Sequence, residues 1–387
     1  MRLGIELSGL GDVHAGVARH VWGICRELLR THDIDIIFFA KRQSEIPLPA
    51  GRWRLCVDTP AAWMPYHIWL QQRYPILLAQ NDVRVCWFQN QLVPLRLIHG
   101  CRRLMTLHDL TAVLFPRTMS FYNRLSSRLL LRKAVRVADV VVAVSQATAR
   151  LAVRLLAVEP EKITVVYNGC YHGLTPVSRD IAAQVIREAY GLEPGYLLTV
   201  GTLEPRKDYM TLLRALDSLD EMPLLVVVGA VGWRSRTIRE AIRSREPSGR
   251  VRYIGYVADE HLPALYSAAR LLVYPSLYEG FGLPVLEAMA CGCPVLCSDS
   301  SSLPEVGGEA VCYFRMGDHK DLARRLQELL SDEERLRAMS AAGLLRAKQF
   351  SFRRAAEEML TIIREGVARL KERPFSEQSI YSKRLSC

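Results

Sequence analysis

Between Tyr274 and Glu287 the chain reads Tyr-Pro-Ser-Leu-Tyr-Glu-Gly-Phe-Gly-Leu-Pro-Val-Leu-Glu, with two carboxylates on either side of a glycine-rich turn. Pro284 suits the first turn of a helix, where its missing N–H costs little, and the free N–H groups of a helix start can hold an anion. Gly280 and Gly282 let a backbone come close to a ligand. Glu279 is expected in the loop and Glu287 near the end of the first helical turn, so both can face one pocket. Upstream, Gly201-Thr202-Leu203-Glu204-Pro205-Arg206-Lys207-Asp208 sets adjacent cations in a second loop. A guanidinium fork grips phosphate oxygens bidentately, and an ammonium adds a point charge. Two carboxylates alone would suit a glycosidase acid/base pair. A glycosidase, however, has no use for an Arg-Lys phosphate clamp between tandem α/β domains. A third candidate is His108, which follows an apolar run and precedes Asp109, a residue placed to orient it. The fourth is Gly11–His20, a glycine-containing stretch without the Gly-x-Gly-x-x-Gly spacing of dinucleotide enzymes, which argues against an NAD site.

These residues need elements to hold them. Short apolar runs predict strands at Arg2–Leu7, Ile34–Phe39, Val83–Phe88, Arg103–Leu107, Val140–Val144 and Ile163–Tyr167. Amphipathic helices are expected at His14–Arg30, Phe121–Val137 and Gln146–Leu156. The pattern then restarts, with strands at Tyr196–Gly201, Leu224–Gly229, Val251–Gly255, Leu271–Pro275 and Pro294–Cys297. Helices fall between them at Tyr209–Leu219, Arg236–Arg245, Glu260–Ala268 and Pro284–Ala290. Continuous Val/Leu/Ile strands bounded by helices indicate parallel sheets covered on both faces. The expected division is an N-terminal domain over 1–175, a linker region over 176–194 and a second domain over 195–350. A helix over 351–373 is expected to pack back on the first domain, ahead of a polar tail over 374–387. Ligands of open parallel sheets bind outside the carboxyl ends of the strands, so two such domains would face each other across a cleft.

The chain has 387 residues, 50% hydrophobic and 24% charged, which excludes a disordered or fibrous protein. Its 51 Lys+Arg exceed its 40 Asp+Glu, for a net charge of +11. Residues 1–170 hold 22 of those cations and 12 of the acids, so nearly all the excess lies in the first half. No run reaches the roughly 18 apolar residues of a membrane span. Glu6 comes too early for the apolar core of a signal peptide, and no Cys-x-x-Cys pair occurs, so a reduced cytoplasmic setting is expected. Cys291, Cys293 and Cys297 sit among Ala, Pro, Val and Leu and read as core rather than as metal ligands.

The Glu279-x7-Glu287 arrangement around Gly280-Phe281-Gly282-Leu283-Pro284 resembles the signature of family 4 retaining glycosyltransferases, which have the two-domain GT-B fold. The Gly201…Arg206-Lys207 loop lies at the family's distance upstream. Gly255-Tyr256-Val257, Ala288–Gly292 and Ser301–Val306 follow in family order, and Val142–Ser145 and Val165–Gly169 extend the match upstream. His108-Asp109-Leu110 with Phe115-Pro116 is similar to the mannosyltransferase B-like subgroup, which acts in lipopolysaccharide O-antigen and exopolysaccharide assembly. The resemblance implies a nucleotide-sugar donor in the second domain. Arg206 and Lys207 would grip its diphosphate, and Glu279 would accept hydrogen bonds from the sugar. The backbone of Gly280, Phe281, Gly282 and Leu283 would meet sugar or phosphate, Glu287 would bind the ribose, and His108 would contact the transferred sugar. Gly16, Val17 and Arg19 would face the cleft from the acceptor side. Transfer with retention is implied, by same-face attack through a short-lived oxocarbenium ion pair, with the leaving phosphate oxygen taking the acceptor's proton. Fixed cations and helix N–H groups would stabilise the leaving group, so neither metal nor cofactor is expected.

The subgroup makes GDP-mannose the leading donor, with a UDP-hexose or dTDP-rhamnose behind it, and a non-transferring epimerase of the same fold is an alternative. The acceptor is expected to be a glycan or a polyprenyl-diphosphate-linked glycan. Arg124, Arg128, Arg132 and Arg136 recur every fourth residue along one helix face, which could lie on an anionic membrane surface as a peripheral contact. Nucleic-acid binding, the rival use of a basic face, would call for interleaved exposed aromatics or a known binding module, and neither is evident.

Overall fold

The computed structural model describes residues 1–7, 16–30, 34–43, 46–89, 92–95, 100–115, 130–171 and 173–371. Strands β1 (Arg2–Glu6), β2 (Asp35–Ala40), β3 (Trp53–Val57), β4 (Val85–Phe88), β5 (Arg102–Leu107), β6 (Val140–Ala143) and β7 (Ile163–Val165) form one sheet in the order β3-β2-β1-β4-β5-β6-β7. Strands β8 (Leu197–Val200), β9 (Leu225–Val228), β10 (Val251–Gly255), β11 (Leu271–Tyr274), β12 (Val295–Ser298) and β13 (Cys312–Phe314) form a second, ordered β10-β9-β8-β11-β12-β13. Every pairing is parallel. Buried apolar clusters cover both faces of each sheet, as strands of nearly unbroken Val, Leu and Ile require. This is the GT-B arrangement of two doubly wound α/β domains.

Strands β3 and β13 escape the sequence reading. β3 is an edge strand, with none of its five residues fully buried, and β13 has only three residues. The segment expected as a linker around one helix does hold one, Arg179–Tyr190. Its Ala182 and Ile186 are buried with Tyr196 and Leu198 in the core of the second domain.

The chain crosses between the domains near residue 170 and returns near residue 350. The two crossings touch, since the Cys170 N–H donates to the Phe350 carbonyl at 3.1 Å. A Cβ on Gly169 would lie 2.2 Å from the Phe352 nitrogen, so only glycine allows this approach. The closing helix, Phe352–Lys371, then lays Phe352, Ala355, Met359 and Ile363 into the first domain's core beside Leu3, Ile5, Val21 and Ile24.

Residues 130–137 are helical, with Leu131, Ala134 and Val135 buried and Lys133 and Arg136 exposed. Arg124 and Arg128 lie outside the described residues. Among the described residues no helix is long and apolar enough to cross a membrane. Cys291, Cys293 and Cys297 are buried free thiols, and burial pushes Cys293 up to about 12.

Candidate active site

β11 delivers the chain into the loop that contains Glu279, and the Leu283–Ala290 helix receives it. Gly282, at φ 104°, turns the backbone into the helix, and Pro284 occupies its first turn. The helix begins at Leu283, one residue before the sequence reading placed it. The loop meets the other domain edge-on. A Cβ on Gly280 would fall 1.8 Å from the His108 carbonyl oxygen, so the close backbone approach expected toward a ligand is made here to the opposite domain. The Gly280 carbonyl accepts from Ser145 Oγ at 2.7 Å and Thr148 Oγ1 at 3.1 Å. The Leu110 N–H donates to the Tyr278 hydroxyl at 2.9 Å.

β8 ends before Gly201, and the following loop turns through Pro205–Lys207. That turn and the Glu279 loop are joined, since the Leu277 N–H donates to the Arg206 carbonyl at 2.9 Å. Lys207 Nζ donates to Glu279 Oε1 at 2.7 Å and to the Tyr274 hydroxyl at 2.5 Å. Arg206 Nη1 lies 2.9 Å from Glu279 Oε2, and its Nη2 lies 2.5 Å from Glu204 Oε1. Ser276 Oγ and the Tyr274 hydroxyl also donate to Glu279 Oε1, at 2.5 and 2.9 Å. The two cations expected to hold a diphosphate therefore hold Glu279 in this structure. Burial alone would raise the Glu279 carboxyl, but the charges of Lys207 and Arg206 overcome it and hold the group at about 2. Glu279 is thus an acceptor-only carboxylate at any physiological pH. Burial pulls Lys207 down, and the adjacent Arg206 adds to the effect.

Glu287 projects from the same helix to different partners. The Tyr266 hydroxyl donates to its Oε2 at 2.9 Å, and Arg19 Nη1 reaches its Oε1 at 3.3 Å from the first domain. Arg19 also pairs with Asp259. Burial raises Glu287, opposed by Arg19 and Tyr266. Gly16 and Val17 begin the Gly16–Leu28 helix that carries Arg19. Gly16, Arg19, Leu283 and Glu287 help to line a gap of about 10 Å3, so the domains are shut against each other here.

His108 follows β5 and is half-buried, with a pKa pushed down to about 4 mainly by loss of solvent and opposed by the Gln89 backbone. Its Nε2 has no partner among the described residues. Asp109 Oδ1 accepts from the Thr111 N–H at 2.9 Å, which caps the next turn. The sequence reading did not single out the His20 ring, which stands edge-on to His108 with centroids 5.0 Å apart. It also missed Glu305, whose carboxylate crosses the cleft to accept from the Gln146 and Ala147 N–H groups at 2.6 and 3.1 Å and from the Tyr167 hydroxyl at 2.7 Å. Glu305 stood in a family-ordered segment, but nothing local reveals a partner 159 residues away. Tyr274, Ser276 and Tyr278 lay within the quoted signature without assigned roles.

This geometry coincides with two family matches. Residues 14–172 match the model described as Glycosyltransferase Family 4, and residues 183–346 match that of Glycosyl transferases group 1. An O-antigen chain mannosyltransferase B of Escherichia coli is 34% identical over 256 residues, spanning 65% of this chain and 67% of that protein. The chain belongs to the family 4 glycosyltransferases. The O-antigen chain mannosyltransferase RfbU of Salmonella typhimurium is 29% identical to this glycosyltransferase over 82% of its chain and 87% of the relative. A serotype-specific mannosyltransferase of Escherichia coli, WbdA, is 30% identical over 60% of the chain, which spans 29% of that longer protein. In fold, the sucrose-phosphate synthase from Thermosynechococcus elongatus superposes with a TM-score of 0.76 at 21% identity, covering 95% of this glycosyltransferase and 99% of that chain.

Proposed function

We propose that this glycosyltransferase moves mannose, with retention, from GDP-mannose to a glycan or polyprenyl-diphosphate-linked acceptor in O-antigen-type polysaccharide assembly. The observation that carries the reading is the convergence of Arg206, Lys207 and Glu279 at the carboxyl ends of β8 and β11, facing His108 across the cleft. The similarity to O-antigen mannosyltransferases supports the choice of sugar. On this reading an entering diphosphate takes over Arg206 and Lys207. Glu279, ionised and released, then accepts hydroxyls of the donor sugar. The leaving diphosphate gains negative charge as the glycosidic bond breaks. On this reading the two cations, once Glu279 has released them, and the N–H groups of Phe281–Leu283 stabilise that charge. His108 has a low pKa and is neutral at working pH, so it adds no charge beside the oxocarbenium-like sugar. Its unpartnered Nε2 faces the transferred sugar on this reading. Glu287 binds the ribose once Arg19 yields it. Arg124, Arg128, Arg132 and Arg136 hold the enzyme at the cytoplasmic face of an anionic membrane, where lipid-linked acceptor is presented.

The experiment is a transfer assay with GDP-mannose, a UDP-hexose and dTDP-rhamnose as donors. Glu279→Ala and Arg206→Ala should each lower transfer by about 100-fold or more while the fold is kept. Wild-type rates in both variants would sink the site assignment. Turnover of another donor alone would leave the site standing and remove the mannosyl reading.

A further inference from the structure

The first domain has a second polar cavity, at the end of its sheet opposite the active site. It encloses about 640 Å3 and is walled by the residues that begin β5, β6 and β7 and by Ile362, Glu365 and Gly366 of the closing helix. Arg102 and Arg103 open β5, and His108 follows its other end. The six-residue strand therefore sets the cavity roughly 20 Å from the cleft, at about 3.3 Å per residue.

The cations of this wall are not equally satisfied. Arg103 Nε lies 3.5 Å from Asp139 Oδ2, and its Nη1 donates to the Pro94 carbonyl at 3.5 Å. Lys162 pairs with Glu159 at 3.1 Å. Arg102 differs. It is only 9% exposed, its stem lies against Gly366, and its Nε is buried with no partner among the described residues. Among the described residues, no carboxylate lies within ion-pair distance of its guanidinium. A guanidinium on a cavity wall without a counter-charge is poised to take an anion. The exposed side chains of Arg136, Glu161 and Glu365 share the wall.

We propose that this cavity binds the phosphate ester of a polyhydroxyl compound, with the phosphate between Arg102 and Arg136 and the hydroxyls donating to Glu161 and Glu365. Each half of such a ligand answers one half of the wall. A bare anion would meet two carboxylates, and a neutral sugar would leave Arg102 uncompensated. The volume is in the range of small-molecule sites. A soluble sugar phosphate and the headgroup of phosphatidylglycerol present the same groups. The site does not depend on which sugar the active site transfers.

The test uses the full chain. Calorimetric titration with mannose 6-phosphate and with glycerol 1-phosphate forms one arm. Sedimentation with phosphatidylglycerol or phosphatidylcholine vesicles forms the other. We expect at least one phosphate ester to bind in the calorimeter, weakened about tenfold by Arg136→Gln and unaffected by Arg206→Ala, with phosphatidylcholine inert. Arg102→Gln, with its fold checked by circular dichroism, should do the same as Arg136→Gln. Binding of mannose 6-phosphate without vesicle binding assigns a soluble metabolite. Arg136-dependent sedimentation with phosphatidylglycerol, together with glycerol 1-phosphate binding, assigns a lipid headgroup. No binding of either phosphate ester in the calorimeter would overturn the proposal whatever the vesicles do, since Arg136 can meet an anionic surface without the cavity, as would binding lost in Arg206→Ala and kept in Arg136→Gln, which would place the ligand in the cleft.

Discussion

At the scale of single residues, the active site is a set of buried charges that compensate one another, plus two histidines that avoid charge altogether. His20 is pushed down to about 3 and His108 to about 4, in both cases chiefly because burial penalises the ionised ring. An unfolded chain binds these protons near pH 6.5, and the native chain does not until far lower. Stability must therefore fall as pH drops from about 6.5 toward 3. Glu279 has a lower window. Its contribution is complete above its ordinary 4.5 and is lost as pH falls toward about 2. The windows can be separated by substitution. Urea unfolding at pH 7 and pH 4 should show a smaller acid loss in His20→Phe than in wild type, by ~3 kcal/mol. An equal acid loss in both proteins would mean that His20 is not held neutral. The types of Glu279, Arg206, Lys207 and His108 and their loop positions are legible in sequence. Their mutual pairing is not, because Arg206 and Lys207 suit a phosphate and a carboxylate equally well.

At the scale of elements, strand and helix periodicity recovers the parts with strong apolar runs and loses the rest for identifiable reasons. β3 shows no clean alternation because it is a half-exposed edge. The Arg179–Tyr190 helix looks like a linker because only Ala182 and Ile186 of its residues are fully buried. Among these elements the Gln146–Leu156 helix has a composite start. Ser145 Oγ caps it from within the domain by accepting from the Thr148 N–H at 3.0 Å, and Glu305 supplies the next two acceptors from the other domain. A carboxylate at a helix N-terminus is favourable for both the free N–H groups and the dipole. Its loss should therefore loosen closure without unfolding either sheet. Hydrogen exchange at the Gln146 and Ala147 amides should quicken about tenfold in Glu305→Ala, for a local cost of ~1 kcal/mol, with the strands of both sheets unchanged. Unaltered exchange at those amides would show that the crossing bond is not made in solution.

At the scale of the whole molecule, the two chain crossings between the domains meet in a seam, where Cys170 and Phe350 are hydrogen-bonded and Phe352 packs against Gly169. Paired crossings at one place permit rotation of one domain on the other but resist sliding. On the proposed reading, the shut cleft with Glu279 occupying Arg206 and Lys207 is one end of that rotation, and donor enters at the other. Phe352 is 4% exposed and belongs to the first domain's core. Phe352→Ala should cost about 3–5 kcal/mol, the usual price of a large core truncation. The loss should fall on the first domain, so that calorimetry resolves an early transition for it ahead of the second. A single transition shifted as a unit would mean that the seam couples the domains too tightly to melt apart.

The closing helix also sets the order in which the protein can be finished. Leu3 and Ile5 are made more than 350 positions ahead of Met359 and Ile363, which cover the same core. During synthesis the second domain, continuous between Arg179 and Ala347, has its whole sheet available before the first has its last wall. The nascent first domain must therefore wait, with an apolar face open, while its successor folds. That interval is when it is most exposed to aggregation and most in need of a chaperone.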